Sequence, residues 1–323
     1  MRRSVYGFIV LASFLYRGTP AQAAGTTSAA FLELGFGARA TAMGDAFTAR
    51  ADDASATYWN PAGMSQLGSR ELMAEHDIHI QDIAIDRLSF VQPLGASGSG
   101  PRQALGFSIT YLSLNGIEAR TGNTATPDGT FGASDFYGAA SYSLPVGEGL
   151  SLGLTGKFIQ QKIGGAQAST YAGDIGVMQR LGRFRLGAAL TNLGPDLKFI
   201  DQPFPLPQAL RGGVSYDAAP VPVVLSAEAE NLKGESGATL KMGMEYAAGE
   251  NFALRGGYLS RAGASQSALK GGPLGSSSDG GLGSWVGMTG GFGLKVGGYA
   301  FDYAFVPYGE LGNTHKMSFS VRF

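Results

Sequence analysis

Cysteine is absent from the 323-residue sequence, which excludes disulfides, thiolate metal sites and an acylated lipoprotein anchor. Charge is scarce as well: Asp, Glu, Lys and Arg make up 15% of the chain, against roughly 25% in an ordinary soluble domain. With a net charge of −1 and basic residues dispersed along the chain, nothing points to nucleic acid. The histidines are His76, His79 and His315. The first two lie three apart in a predicted strand, so they face opposite sides and cannot converge on one metal. No set of nucleophile, base and orienting group stands out, so neither an enzyme nor a cofactor is expected. Finally, no apolar run of about 18 residues follows the N-terminal segment, which excludes helical membrane spans. If such a chain lies in a membrane, only a closed barrel pairs every backbone polar group.

What is present begins with MRRSVYGFIVLASFLYRGTPAQA: Arg2 and Arg3, an apolar run from Val5 to Tyr16, and a small-x-small site at Ala21 and Ala23. This pattern predicts a secretory signal peptide over 1–23, cleaved after Ala23. Glycine is abundant, 51 of 323 residues. From residue 69 onward the chain alternates apolar and polar residues in stretches of about ten, the length of a tilted membrane strand. The predicted strands are 71–80, 83–93, 103–113, 134–145, 149–161, 171–181, 183–193, 207–218, 221–231, 237–248, 251–261, 284–295, 297–307 and 315–323. That makes fourteen. Short connections (Val146 to Glu148, Gly182, Ala219 to Pro220, Gly249 to Glu250, Val296) fall on one side. The long ones, Leu114 to Ala133, Gly194 to Leu206 and Ala262 to Gly283, fall on the other. Outer-membrane barrels divide short periplasmic turns from longer outer loops in this way.

Parity along the strands gives an inner and an outer face. Leu152, Leu154 and Phe158 alternate with Ser151, Thr155 and Lys157, and the same holds elsewhere in the chain. The polar parity assigns Lys157, Arg211, Glu228, Glu230, Lys241, Glu245, Arg255 and Arg322 to the lumen. The last strand, HKMSFSVRF, sets Met317, Phe319, Val321 and Phe323 on one face. A last strand ending in Phe resembles the signal by which the barrel-assembly machinery recognises its clients.

Upstream of the strands lies the most particular stretch, GFGARATAMGDAFTARADDASATYWNPAGM, from Gly35 to Met64. Asp52 and Asp53 are placed to cap a short helix from Ala54 to Asn60, with Pro61 ending it and Asn60 turning. Ala62 and Gly63 leave room for close backbone approach. The combination of GARATAMGDAF, ADDASATYWNPAG and alternating strands resembles the FadL-type outer-membrane family, most closely its PorV/PorQ branch. The resemblance implies an all-β fold: a single transmembrane antiparallel barrel of about fourteen strands over 69–323, with a small N-terminal plug of short helices over 24–68.

The resemblance also implies a place in the outer membrane of a diderm bacterium and a function. The first expectation is a monomeric conduit for hydrophobic, fatty acid-like small molecules, with outer-membrane lipid and the assembly machinery as partners. The second is a PorV-like protein that holds exported proteins for secretion or surface attachment. Gly106, in the third predicted strand, is a candidate bulge and weak point in the wall. Two loops complete the reading: a Ser-rich run from Gly271 to Ser284, expected to be flexible, and FIDQPFPLPQAL, Phe199 to Leu210, a stiff apolar lip.

Overall fold

The computed structural model describes residues 27–80, 83–95, 100–235, 237–260, 287–308 and 312–323. The expected signal peptide and the Ser-rich run lie outside them. Strands follow the alternation of the sequence: β1 (Glu71–Ile78), β2 (Ala84–Pro93), β3 (Ala104–Ala119), β4 (Gly129–Gly147), β5 (Leu150–Ile163), β6 (Ala166–Leu181), β7 (Phe184–Leu193), β10 (Ala209–Asp217), β11 (Val223–Leu232), β12 (Thr239–Ala247), β13 (Phe252–Ser260), β14 (Met288–Val296), β15 (Tyr299–Pro307) and β16 (Asn313–Arg322). Each pairs antiparallel with its neighbours, and β1 pairs with β16 to close a fourteen-stranded barrel. Between β7 and β10 a small hairpin, β8 (Leu197–Phe199) with β9 (Gln202–Phe204), pairs as a sheet separate from the barrel.

Closure leaves no edge strand unpaired, and the two faces of the wall then differ sharply. In β5, Leu152, Leu154 and Phe158 point out and are exposed, while Ser151, Thr155 and Lys157 point in and are buried. Phe107, Ile109, Leu225, Met242 and Leu254 continue the apolar outer surface around the barrel. A surface of this extent matches lipid and would be a liability in water.

Two expectations about the wall are corrected. The connection expected from Leu114 to Ala133 is mostly strand, since β3 runs on to Ala119 and β4 starts at Gly129. A Leu114/Ile117 register shift lets the pair continue past Asn115 and Gly116. Gly106 is not a bulge: its pairing with Val91 and Ser141 is continuous, and the register shifts lie at Leu114/Ile117, Pro145/Gly147 and Gly173/Ile175. What Gly106 provides is space. A Cβ there would meet Thr57 at 2.7 Å and run into the Met64 sulfur.

Residues 27–70 precede the first strand and fill the lumen. They form a 3-10 turn (Ala30–Glu33), helix α1 (Ala38–Ala42), helix α2 (Ala56–Trp59) and a second 3-10 turn (Pro61–Gln66). A segment this short cannot bury its apolar side chains against itself. Phe36, Met43, Phe47, Trp59 and Met64 are fully buried only because the barrel surrounds them, and each such burial contributes about 1.5–3 kcal/mol. The backbone of the plug comes closest to the wall where the wall has glycine. Gly153 faces Pro61 and Ala62, Gly176 faces Asn60, Gly187 faces Thr48 and Ala49, and Gly243 and Gly257 face Met43 and Gly44. Any side chain at these positions would enter the plug, so these glycines serve contact between plug and wall.

Candidate functional site

The expected cap is replaced by a charge cluster. Helix α2 spans only Ala56–Trp59, and its N-cap, Ser55, makes no side-chain cap bond. Asp53 accepts from the Ser55 N–H (3.0 Å) and hydroxyl one turn earlier, an Asx turn that leads into the helix. Asp52 instead meets three guanidiniums, Arg39 (2.7 Å), Arg50 (2.9 Å) and Arg185 (2.9 Å). Burial pushes its carboxyl up, but these three cations more than offset that and hold it well below the usual carboxylate range. The cluster extends through Arg39 to Glu245 (2.8 Å), from Glu245 to Arg255 (2.7 Å) and on to Asp302 (2.7 Å). Through Arg50 it reaches Asp217 (2.7 Å). Asp217, Glu245 and Asp302 lie near the short turns of the barrel, so this network ties the plug to the wall at that end.

A second anchor is Asn60, which caps the Pro61–Gln66 turn by accepting from the Ala62 N–H (3.1 Å). Its amide donates to Thr48 O within the plug and to Val177 O of β6, both at 3.0 Å. Pro61 therefore does not stop the chain but starts a new turn, and Gly63 is required because a Cβ would strike the Ala51 carbonyl. Ala62, fully buried, fits against Gly153.

Of the lumen candidates, Arg211, Glu228, Glu230 and Lys241 form one buried group in which Arg211 pairs with Glu230 (3.0 Å) and Lys241 bridges Glu228 and Glu230. Arg211 lies over the rings of Tyr58 and Trp59 (5.1 and 5.2 Å), and Lys241 over Trp59 (5.6 Å), so the cations bear on the aromatic centre of the plug. Glu228 accepts from the Thr48 N–H (2.8 Å). Lys157 is drawn into a separate pair with Asp174 (2.7 Å). Glu245 and Arg255 belong to the Asp52 network, whereas Arg322 is half exposed at the rim, paired with Glu71 (2.9 Å). Met317, Phe319 and Val321 point outward on β16, opposite buried Ser318 and Ser320. Phe323 stacks on Phe90 and exchanges two backbone hydrogen bonds with Arg70.

The sequence reading missed Arg39, Arg50, Arg185, Asp217 and Asp302, which make up more than half of the network, and a third cluster nearer the long loops. There Arg87 pairs with Glu75 and donates to Leu34 O (3.0 Å), while Lys316 pairs with Asp77 (3.2 Å) and donates to Gly35 O. The parity of Glu71, Glu75 and Asp77 on β1 carried a signal for this cluster. The histidines are dispersed: His76 pairs with Asp86, His79 meets Thr314, and His315 meets the Tyr303 hydroxyl.

Above the plug the two flanks differ. On one, Phe31 and Leu32 pack with Tyr137, Ile159, Leu197 and Leu206 under the β8–β9 hairpin. The Pro-rich lip is thus partly turned inward: Leu206 is buried and Pro205 O accepts from the Ser28 N–H (2.9 Å), while Ile200 and Phe204 stay exposed. On the other flank a small cleft of about 90 Å³, open to solvent at its mouth, lies between the plug and the ends of β13, β15 and β16. Leu34, Leu259, Val306 and Pro307 supply apolar lining; Thr41, Asp45, His79, Thr289 and Lys316 supply polar groups.

Comparisons with known proteins agree with this architecture. Among solved structures, the chain is similar to the toluene transporter TbuX of Ralstonia pickettii (15% identity, TM-score 0.61, covering 90% of this chain and 98% of that one). It is similar also to the toluene transporter TodX of Pseudomonas putida (13%, TM-score 0.59, 88% and 96%) and to a Pseudomonas aeruginosa FadL homologue (12%, TM-score 0.55, 86% and 96%). At these identities the likeness establishes a shared fold, the FadL-like barrel. No curated protein matches the chain. A family model does match residues 8–199, more than half of the sequence, and the chain belongs to the uncharacterised protein family UPF0164.

Proposed function

We propose that the protein is an outer-membrane conduit for hydrophobic small molecules, with its long-loop end outside and both barrel termini facing the periplasm. The observation that carries this reading is the apolar-lined cleft between the plug and β13–β16 at the long-loop end of the barrel. A greasy solute cannot cross a polar surface layer unaided, and a cleft of this kind, with a few polar groups at fixed points, is the usual form of a small-molecule site. Onward passage requires the plug to shift. The solved toluene transporters of the same fold support a similar cargo class for this chain. Uptake of a radiolabelled alkylbenzene by cells whose outer leaflet is lipopolysaccharide should rise when the protein is expressed. An unchanged rate would overturn the reading. Topology is checked separately by cysteines at Gly122, which should label in intact cells, and at Gly147, which should not.

One observation favours the second reading, a PorV-like holder of exported proteins. Strands β3 to β6 are 14–19 residues long against 8–10 elsewhere in the barrel, so this flank projects beyond the rest at the long-loop end. Removing the projecting tip, residues 115–128, separates the two: a holder loses its client, and a conduit keeps its uptake.

A further inference from the structure

Beside the cleft above the plug lie buried polar atoms that the fold leaves without partners. The Thr41 hydroxyl has no hydrogen-bond partner among the described residues although Thr41 is only 4% exposed, and Oδ1 of Asp45 is buried and equally unpartnered. Both residues line the cleft. Leaving such groups unmet costs about 1–3 kcal/mol each, more for a charge, so they need an explanation.

Asp45 is also held in an unusual backbone conformation. It sits at φ 60, directly after Gly44 at φ 63, and its N–H is taken by Ala40 O (3.0 Å). Aspartate tolerates this left-handed region better than most side chains but still at a cost. Gly44 cannot move, because its Cα lies against the backbone of Met242 and Tyr258. The carboxylate is therefore fixed in place, close to Gly35 and without an ion pair of its own among the described residues, although it lies in the field of Lys241 and Lys316. The one lysine lining the cleft, Lys316, is committed to Asp77 and to Gly35 O.

We propose that this cleft selects an apolar molecule bearing a neutral hydroxyl, such as an alkylphenol or a medium-chain alcohol, over both the bare hydrocarbon and the carboxylate of a fatty acid. A ligand O–H donates to Asp45, and the ligand oxygen accepts from Thr41. Leu34, Leu259, Val306 and Pro307 take the apolar body. A carboxylate finds the opposite: an anion already in the cleft and no uncommitted lysine to receive it. The proposal rests on the conduit reading for the site and adds the chemistry of its cargo.

Three molecules of one shape, 4-ethylphenol, ethylbenzene and 4-ethylbenzoate, test it by calorimetric titration of the full-length protein in detergent. Ethylphenol should bind roughly tenfold or more tighter than ethylbenzene, as expected when one charged hydrogen bond is gained, and ethylbenzoate should bind weakest. In Asp45→Asn, which keeps a residue suited to the left-handed turn but accepts only a neutral hydrogen bond, and in Thr41→Val, the preference for ethylphenol over ethylbenzene should shrink severalfold. Ethylbenzene or ethylbenzoate matching ethylphenol in the wild type overturns the selectivity while leaving the conduit standing, and that comparison needs no variant to fold. Preference for ethylphenol that survives undiminished in both variants also overturns it. Binding by none of the three removes the cleft as a cargo site altogether.

Discussion

At the short-turn end of the barrel, Asp52 sits among Arg39, Arg50 and Arg185, and the chain of ion pairs continues to Asp217, Glu245, Arg255 and Asp302. At the long-loop end, Phe31 and Leu32 are held by apolar packing on one flank, and the other flank is an open cleft with unpartnered Thr41 and Asp45. The lower network is redundant at Asp52, Asp217 and Glu245, each of which has more than one basic neighbour, and removing a partner from a buried pair strands a charge at a cost of about 3–5 kcal/mol. Apolar packing has no such geometry to lose and yields gradually. The floor of the plug is therefore built to stay shut and its top to admit something.

The largest effect should come from the wall itself. Gly257→Leu drives a side chain into the backbone of Met43 and Gly44, where nothing can rotate away, and overpacking of this kind costs about 1–3 kcal/mol or more. The plug should be displaced while the strands, whose ladder hydrogen bonds run from strand to strand, remain. Heat-modifiable gel mobility should be retained and planar-bilayer conductance should rise to a persistently open level. A closed pore in this variant would show that the glycines are not what seats the plug.

Next in size is Arg39→Met, which removes the link from Asp52 and Asp53 to Glu245. Partial exposure of these groups moderates the loss to about 1–3 kcal/mol, enough to raise the population of open plug about five- to 160-fold. Leu206→Ala at the top removes apolar packing of similar worth, about 2–5 kcal/mol, yet should leave conductance at the wild-type level because the floor is untouched. Equal conductance changes in the two variants would dissolve the contrast between the ends.

A smaller effect follows from pH. The carboxyl of Asp52 is held below its unfolded value, so its contribution to stability is fully present above the unfolded pKa of about 3.9 and fades only as pH falls toward the folded one. Opening frequency in the wild type should be flat from pH 8 to 5 and increase only below about pH 4. A rise between pH 7 and 5 would place the weak point elsewhere.

Much of the wall was legible in the sequence because period-two alternation is a local property: Leu152, Thr155 and Lys157 declare their faces without reference to any other strand. Fourteen strands, their order and most ends follow from that. The extension of β3 and β4 was not legible, since Asn115 to Gly116 reads as a turn and is absorbed as a register shift that only pairing reveals. The plug was legible as a unit but not in its chemistry. Asp52 next to Asp53 looks like a helix cap, and its three guanidiniums arrive from positions 39, 50 and 185. Nor does a glycine in a strand say whether it bends the wall or makes room for a neighbour, which is why Gly106 was misread.

The smallest expected effect concerns the seam. Phe323 closes the barrel beside β1: its N–H and carbonyl exchange hydrogen bonds with Arg70 (3.1 and 3.2 Å), and its ring stacks on Phe90 at 6.4 Å. Deleting it removes two backbone bonds at the end of a ladder that keeps eight residue pairs, Glu71↔Arg322 to Ile78↔His315. Each bond is worth about 0.5–1.5 kcal/mol, so a barrel held by fourteen strand pairings should remain folded once inserted. Its ring is 61% exposed on the outer surface, where a side chain contributes little to packing and is accessible to an assembly factor. The deletion should therefore lower the rate at which heat-modifiable barrel accumulates in cells, while purified barrel unfolds in denaturant within about 2 kcal/mol of wild type. A large loss of stability with normal assembly would make Phe323 a clasp of the seam, and unchanged amounts of folded barrel would leave it no role in assembly.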